Sequence, residues 1–163
     1  MLRNKISKRF LAKIAMIAPG GYSLRPALHR IRGVDICKNV WISQFVYIDE
    51  VHPEKITIMD NVSIGLRATI FAHFYSGNFG PGKKTAPVII EKNVYIGPHC
   101  VIFHGVTIGE GAVIAAGSIV TNNVKPGILY GPPSSKPLAK VTRPLIKGKS
   151  MDYENFLLGL RQI

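Results

Sequence analysis

The chain has 163 residues, enough for one domain, and its 47% hydrophobic content is ample for a core. Every apolar stretch is far shorter than the roughly 20 residues needed to span a bilayer, and no signal-peptide pattern is evident. No nucleic-acid-binding module is recognisable. The formal net charge of +12 favours anionic partners such as a phosphorylated cofactor or anionic lipid, and we expect no nucleic acid among them.

The first predicted element is a basic amphipathic helix over residues 1–16, where apolar side chains recur at near-helical spacing among lysines and arginines. Residues 1–32 hold eight Lys or Arg residues and no acid. We expect the helix to cover one end of the repeat that follows, because an uncapped coil would expose apolar surface and strand edges. Peripheral contact with a membrane surface is the second interpretation.

A six-residue repeat occupies the middle of the chain. The period fits neither a 3.6-residue helix nor a two-sided sheet, and it predicts short strands that coil about an axis. Three hexads make a coil of eighteen residues, so twelve hexads predict an all-β solenoid of about four coils. The leading residues are Ile36, Ile42, Ile48, Ile58, Ile64, Ile70, Ile90, Ile96, Ile102, Ile108, Ile114 and Val120. A second interior set follows four residues later: Val40, Val46, Val62, Ala68, Val94, Cys100, Val106, Ala112, Ser118 and Val124.

The fourth position of seven hexads is Asn or Gly, the residues that enter the left-handed backbone conformation at least cost. A chain that turns every six residues needs such corners, which supports the coil independently of the apolar period. The predicted left-handed corners are Asn39, Asn61, Asn93, Gly105, Gly111, Gly117 and Asn123.

Two insertions interrupt the repeat. Ile48 and Ile58 are ten residues apart, and Ile70 and Ile90 are twenty apart. Insertions in a solenoid leave the coil as surface loops, and rigid scaffolds tend to carry function on such loops. The second loop, over residues 71–87, is rich in aromatic residues and glycine and is therefore the better functional candidate.

After residue 125 the repeat ends, and the sequence predicts a tail over residues 126–163. Residues 125–149 hold six Lys or Arg residues without an acid, and a short helix over residues 151–161 is predicted, with Ser150 as its N-cap. Phe156, Leu157 and Leu160 are expected to pack inward. The organisation is thus one domain: a basic segment over 1–33, the β-helix over 34–125, and the tail. The two cysteines favour a reduced, cytoplasmic protein.

The run from Ile96 to Ser118, IGPHCVIFHGVTIGEGAVIAAGS, resembles the hexapeptide-repeat acyltransferases. It is most similar to the maltose, galactoside and xenobiotic O-acetyltransferases and to polysaccharide acetyltransferases. Residues 131–137, GPPSSKP, are similar to the Gly-x-Pro-Ala-Lys segment that closes the repeat in that family, with one residue extra. The resemblance covers residues 36–143 and implies a left-handed parallel β-helix, a hand that the repeat alone does not decide.

The resemblance also implies an activity: transfer of an acetyl group from acetyl-CoA to a hydroxyl, or an amine, of a sugar or polysaccharide precursor. The family places its sites between subunits of a homotrimer and needs no metal. A histidine of the extruded loop takes the acceptor proton, a task suited to imidazole. His73, three residues after Ile70, matches that place, although the usual Gly-His-Pro context is missing.

Further site residues follow from the same resemblance. For the acceptor they are Ser43, Tyr95 and His104; Ser43 stands where galactoside enzymes have an asparagine. For coenzyme A they are Pro98, Ala116 and Thr121 along the wall, and Lys136 and Lys140 at the phosphate groups, where the acid-free tail independently supplies cations.

Two alternatives stay open. A γ-type carbonic anhydrase uses the same coil with three zinc-binding histidines, two of them five residues apart. His99 and His104 have that spacing and His73 is the third candidate, but the Arg-Gly-Asp-like segment of that family is absent. The second alternative is a non-catalytic scaffold.

Overall fold

The computed structural model describes residues 2–73, 85–132, 139–143, 146–147, 150–151 and 153–162. It divides the chain into two units, Met1–Pro132 and Pro133–Ile163, each of which is described by itself. The first unit contains the six-residue repeat together with two helices that precede it.

Each hexad forms one very short strand, and three strands complete a coil, as the sequence predicts. The coils follow one another as β1 (Asp35–Ile36), β2 (Trp41–Ile42) and β3 (Tyr47–Ile48); β4 (Ile56–Ile58), β5 (Ser63–Ile64) and β6 (Thr69–Ile70); β7 (Val88–Ile90), β8 (Tyr95–Ile96) and β9 (Val101–Ile102); and β10 (Thr107–Ile108), β11 (Val113–Ile114) and β12 (Ile119–Val120). A further strand, β13 (Leu129–Tyr130), pairs with β11. The prediction of about four coils is confirmed.

Three parallel sheets therefore form the walls of a prism. Their strand orders are β1-β4-β7-β10, β2-β5-β8-β11-β13 and β3-β6-β9-β12, and we number these sheets one, two and three. The chain turns from sheet one to sheet two at the first edge, from sheet two to sheet three at the second edge, and from sheet three back to sheet one at the third edge. Both insertions leave the coil at the third edge.

The interior of the prism is filled by the two predicted sets of side chains. All of the leading and second interior residues are buried, the most exposed being Ile36 at 7%. Equivalent residues stack from coil to coil, as Ile42 on Ile64 and Ile64 on Ile96. Because burying one Ile side chain contributes about 1.5–3 kcal/mol, these stacks are the main source of stability.

Left-handed backbone was predicted at seven Asn or Gly corners, and six of the seven are confirmed. Left-handed backbone is found at Asn39, Asn61, Asn93, Gly105, Gly111 and Gly117. The prediction for Asn123 is wrong: the repeat is ending there, and the Asn123 side chain instead accepts a hydrogen bond from the backbone N–H of Thr107 at 2.8 Å. At the second edge, larger residues adopt the same conformation, namely Phe45, Arg67 and His99.

Two helices cover the first coil, where one was predicted. α1 (Leu2–Ile17) confirms the predicted basic helix. α2 (Leu24–Ile31) was missed, because Pro26 resembles a helix breaker; it lies in the first turn, where proline is tolerated. Across the described residues, no helix combines the length and the hydropathy that crossing a bilayer requires.

Three arginines from this region cap the open edge of the first coil. Strand N–H groups donate toward the next coil, as from Cys37 to Ile58, so the first coil is left with outward-facing carbonyls. One guanidinium serves each strand: Arg30 donates to Ile36 O at 2.8 Å, Arg25 to Ile42 O at 2.6 Å, and Arg32 to Ile48 O at 2.5 Å and Asp49 O at 2.6 Å. These bonds satisfy groups that an exposed sheet edge would offer to another chain.

Replacing Arg32 by methionine is expected to lower the free energy of unfolding by about 1–3 kcal/mol, since two buried carbonyls lose their donor. Arg32 is fully buried, whereas Arg30 is exposed. Arg30→Met is therefore the matched control, and it should cost less. Urea denaturation of both variants checks this, and equal stability of Arg32→Met and the wild type would contradict it.

The second unit contains short elements around one helix. They are β14 (Ala139–Val141), β15 (Ile146–Lys147), β16 (Ser150–Met151), α3 (Tyr153–Leu158) and β17 (Leu160–Gln162), with β14 antiparallel to β17 and β15 antiparallel to β16. The predicted tail helix is thus present but shorter, because Ser150 and Leu160 lie in strands. Leu157 is 61% exposed, so the expectation that it packs inward is wrong, while Leu160 is half-buried.

Candidate active site

His73 lies at the third edge, three residues after β6. A backbone bridge joins it to Thr85, so the two ends of the predicted loop are held together at its base. The rest of that loop, residues 74–84, lies outside the described residues. The His73 side chain is about 10% exposed, which places it at the boundary between the coil and its surroundings.

The imidazole of His73 is held by Asp49, a residue of the preceding coil. Nδ1 of His73 is hydrogen-bonded to Oδ2 of Asp49, which also accepts the backbone N–H of Ala72 at 2.7 Å. Oδ1 of Asp49 accepts the backbone N–H groups of Val51 at 2.8 Å and His52 at 3.0 Å. Four donors therefore converge on one fully buried carboxylate.

These contacts determine the protonation of Asp49. Burial alone would raise the pKa of its carboxyl, but hydrogen bonds from the His52 N–H, His73, and the Ala72 and Val51 N–H groups together hold that pKa below its usual value. An ionised carboxylate only accepts hydrogen bonds, so Nδ1 of a neutral His73 carries the proton and Nε2 carries the lone pair. The pair thus makes Nε2, which is a buried atom in this structure, the acceptor nitrogen of the ring.

Behind Asp49 lies the guanidinium of Arg32, whose bonds to the Asp49 and Ile48 carbonyls fix the backbone at this point. Its Nε also donates to Nδ1 of His29 at 2.9 Å. Burial lowers the pKa of Arg32 to about 10, against the attraction of Tyr47, Asp49 and Glu50, so it is still a cation at neutral pH. The same group that caps the coil therefore provides the positive charge near the buried carboxylate.

Two rings lie beside the imidazole of His73, those of Phe71 and His52. The ring of Phe71 lies 6.3 Å from that of His73, centroid to centroid, and contacts the rings of Tyr47 at 5.6 Å and Phe103 at 6.1 Å. His52 lies 6.2 Å away and is bonded through Nδ1 to Glu54 at 3.2 Å. The histidine therefore faces partly apolar surroundings, in which electrostatic interactions are stronger than in water.

The other predicted site residues fall into two groups on different edges. His104 and Thr121 follow β9 and β12 and so share the third edge with His73. Ser43, Pro98 and Ala116 follow β2, β8 and β11 at the second edge. Tyr95 lies in β8 with its side chain 45% exposed on sheet two. Within one chain the acceptor residues and the coenzyme A residues are each divided between these places, so neither set meets at one site.

The structure describes only one of the two predicted phosphate-binding lysines, and only in part. Lys136 lies outside the described residues, and Lys140 lies in β14, where its backbone alone is described. Their contact with coenzyme A stays a prediction.

The three histidines of the carbonic anhydrase alternative do not meet in one chain. His99 has left-handed backbone, φ 58°, at the second edge, whereas His73 and His104 lie at the third. Among the described residues, no three His, Cys, Asp or Glu side chains are grouped as metal ligands would be.

Sequence reasoning missed Asp49 and Arg32. A signal existed for Asp49, because it is the acid that directly follows the leading Ile48 and opens the first insertion. No comparable signal marks Arg32, which is one of many cations in the basic segment over 1–33.

Residues 87–122 match the family model described as the hexapeptide repeat of succinyl-transferase. The Bacillus subtilis protein YvoF is 38% identical over 95 residues, covering 58% of this chain and 53% of that protein. Galactoside O-acetyltransferase of Escherichia coli is 40% identical over 78 residues, covering 45% of this chain and 38% of that protein. The chain thus spans about half, or less, of the length of these curated relatives.

A solved structure covers more of the chain. The hexapeptide-repeat-containing acetyltransferase of Vibrio cholerae, complexed with acetyl coenzyme A, aligns with 80% of this chain and 84% of its own, with a TM-score of 0.65 and 26% identity. The predicted fold class, a left-handed parallel β-helix, is confirmed. The chain carries the hexapeptide repeat, and its resemblance to the hexapeptide-repeat acyltransferases is confirmed.

Proposed function

We propose that this protein is an acetyl-CoA-dependent acetyltransferase whose acceptor is a hydroxyl group of a sugar or polysaccharide precursor. The observation that carries the proposal is the His73–Asp49 pair, in which a buried carboxylate fixes the imidazole with Nε2 as the proton acceptor. Similarity to a hexapeptide-repeat acetyltransferase complexed with acetyl coenzyme A supports the co-substrate. Similarity to a galactoside O-acetyltransferase supports the acceptor class.

The proposed reaction needs one base and an activated ester. Nε2 of His73 removes the proton of the acceptor hydroxyl as its oxygen attacks the thioester carbonyl, and the new C–O bond forms. The C–S bond then breaks, and the departing thiolate takes the proton from the imidazolium, so that acetylated acceptor and coenzyme A are released. Asp49 stays ionised throughout, and its negative charge stabilises the imidazolium that forms between the two steps.

We further propose that each active site is shared by two subunits of a homotrimer. The third edge supplies His73, and the second edge of a neighbouring copy supplies the wall that includes Ala116 and Pro98. The support is the separation of the two residue groups on different edges of one chain. A cyclic assembly would bring the third edge of each copy to the second edge of the next.

A mixing experiment tests the shared site. Ala116 is exposed at the second edge, so Ala116→Trp should block the wall without disturbing the core. His73→Ala and Ala116→Trp should each be inactive alone. Equal mixing after dissociation should restore about a quarter of the sites in a cyclic trimer, those with two intact halves. No recovery on mixing, or full activity of a stable monomer in light scattering, would contradict the shared site.

Lys136 and Lys140 provide the test of coenzyme A binding. Replacing both with alanine should raise the KM for acetyl-CoA about tenfold, with little change in kcat, because charge-assisted bonds to phosphate hold ground and transition state alike. The effect should diminish as salt screens the charges. Lys125→Ala, an exposed cation of the first unit, is the matched control. An unchanged KM in the double variant would place the phosphates elsewhere.

We propose the cytoplasm as the place of reaction. The support is that Cys37 and Cys100 are both free thiols, as expected of a protein in a reducing compartment.

Titration calorimetry with acetyl-CoA tests the proposed acetyltransferase activity at its first step, since a protein that does not bind this co-substrate cannot carry out the reaction.

A further inference from the structure

In the helix α1 the alanines are buried, two large apolar side chains are exposed, and the other described large apolar side chains are half-buried. Ala12 and Ala15 are 5% and 1% exposed, and Ala18, directly after the helix, is 5% exposed. Phe10 and Ile17, seven residues apart and hence on one helical face, are 66% and 64% exposed. A helix that serves only to cover a coil normally has the reverse arrangement, because large apolar side chains gain most from burial.

The exposed face of α1 also carries positive charge. Lys13 lies between Phe10 and Ile17 on that face, and Arg9 adjoins it; both are exposed. No Asp or Glu occurs before Asp35. We call Arg9, Phe10, Lys13 and Ile17 the α1 face. It combines large apolar side chains with cations, and the chain before Asp35 offers no acidic residue to neutralise those cations.

α2 shows the same arrangement on a smaller scale. Leu24 and Ile31, again seven residues apart, are 44% and 68% exposed, while Arg25 and His29 are buried. Tyr22, between the two helices, is 66% exposed although its ring contacts that of Trp41 at 4.9 Å. Exposed large apolar residues are thus a shared property of both helices and of their connection.

We propose that the α1 face docks on an anionic lipid surface, with Phe10 and Ile17 inserted among the lipids and Arg9 and Lys13 at the phosphate groups. Exposed aromatic and aliphatic side chains with Lys or Arg beside them are the combination that a helix presents to a membrane interface. Each such cation contributes about 1 kcal/mol at an anionic leaflet.

The charge of the α1 face argues against a second copy of this chain as its binding partner. A two-fold contact would place the α1 face against its own equivalent, so the four cations would meet with no acid between them. In a chain of formal charge +12, that contact repels. An anionic surface neutralises the same charges.

Sedimentation with lipid vesicles tests the proposal on the full chain and independently of catalysis. Vesicles of phosphatidylcholine and phosphatidylglycerol in equal amounts should bind the wild type, and vesicles of phosphatidylcholine alone should bind it at least tenfold more weakly, as the cations require. Phe10→Gln combined with Ile17→Gln should weaken binding about a hundredfold, since two apolar side chains no longer leave water. Arg9→Gln with Lys13→Gln should weaken it about tenfold to thirtyfold.

Leu157→Gln is the matched control, because Leu157 is an equally exposed apolar residue of α3, and it should bind like the wild type. Circular dichroism checks that each variant is folded, and Lys13→Glu serves as a second variant should the apolar pair unfold. The proposal is overturned if the wild type does not bind anionic vesicles, or if it binds both vesicle types equally. It is also overturned if the apolar variant binds vesicles normally but changes its oligomeric state, since the face would then contact protein.

Discussion

Replacing His73 by alanine is expected to lower kcat by about 10²–10⁴, the usual contribution of a positioned general base. The variant should keep its fold, because His73 lies at the loop base and not among the stacked isoleucines. It should also bind acetyl-CoA as tightly as the wild type, since the proposed role of His73 is toward the acceptor proton. Steady-state kinetics and calorimetry check these outcomes together.

His52→Ala is the control for this experiment. The His52 ring lies 6.2 Å from that of His73, yet its Nδ1 is bonded to Glu54, so its loss should cost little turnover. His104→Ala and His99→Ala should likewise cost less than His73→Ala. If His73→Ala keeps most of its turnover while His104→Ala is inactive, the base is misassigned. If all three histidine variants are inactive and zinc is stoichiometric, the carbonic anhydrase alternative is correct.

Replacing Asp49 by asparagine is expected to reduce kcat by about 10²–10⁴ while changing the side-chain volume very little, because the tautomer of His73 is no longer fixed. Four donors converge on the carboxylate, and an amide offers only one acceptor atom. Its NH₂ group must then face at least one of those donors. The free energy of unfolding should consequently fall by about 1–3 kcal/mol.

The pH dependence separates the two roles of Asp49. A carboxyl whose pKa is depressed in the folded state stabilises the fold above its unfolded pKa of about 3.9, and that stability is lost as the pH falls through the folded pKa. Asp49→Asn should therefore show a shallower loss of stability in acid than the wild type. If kcat is unchanged in a folded Asp49→Asn variant, Asp49 does not position the base.

The fold could be predicted from the sequence because one feature repeats twelve times. Each leading residue predicts a strand and a buried side chain, and each Asn or Gly corner supports it separately, so single exceptions such as Asn123 do not disturb the result. α2 has no such redundancy. It is only eight residues long and contains Pro26 in its first turn. Its amphipathic pattern would also predict a buried apolar face, whereas the structure buries Arg25 and His29.

The position of His73 could be predicted, but its partner could not. In an uninterrupted solenoid, residues that meet across coils are eighteen apart, and the insertion after Ile48 breaks that rule. Asp49 and His73 are 24 residues apart. Only the register Ile48 on Ile70 shows that both chain segments leave the coil at the same edge. The role of Arg32 likewise depends on the docking of α2, which the sequence did not reveal.

The most direct test of the central claim is a transfer assay with acetyl-CoA and a panel of sugars, nucleotide-sugars and oligosaccharide fragments, read by mass spectrometry. The account predicts that at least one acceptor gains the mass of one acetyl group on a hydroxyl, with one coenzyme A released per product, and that His73→Ala gives neither while still binding acetyl-CoA. A wild-type protein that does not bind acetyl-CoA, or a His73→Ala variant that forms product at the wild-type rate, would contradict it.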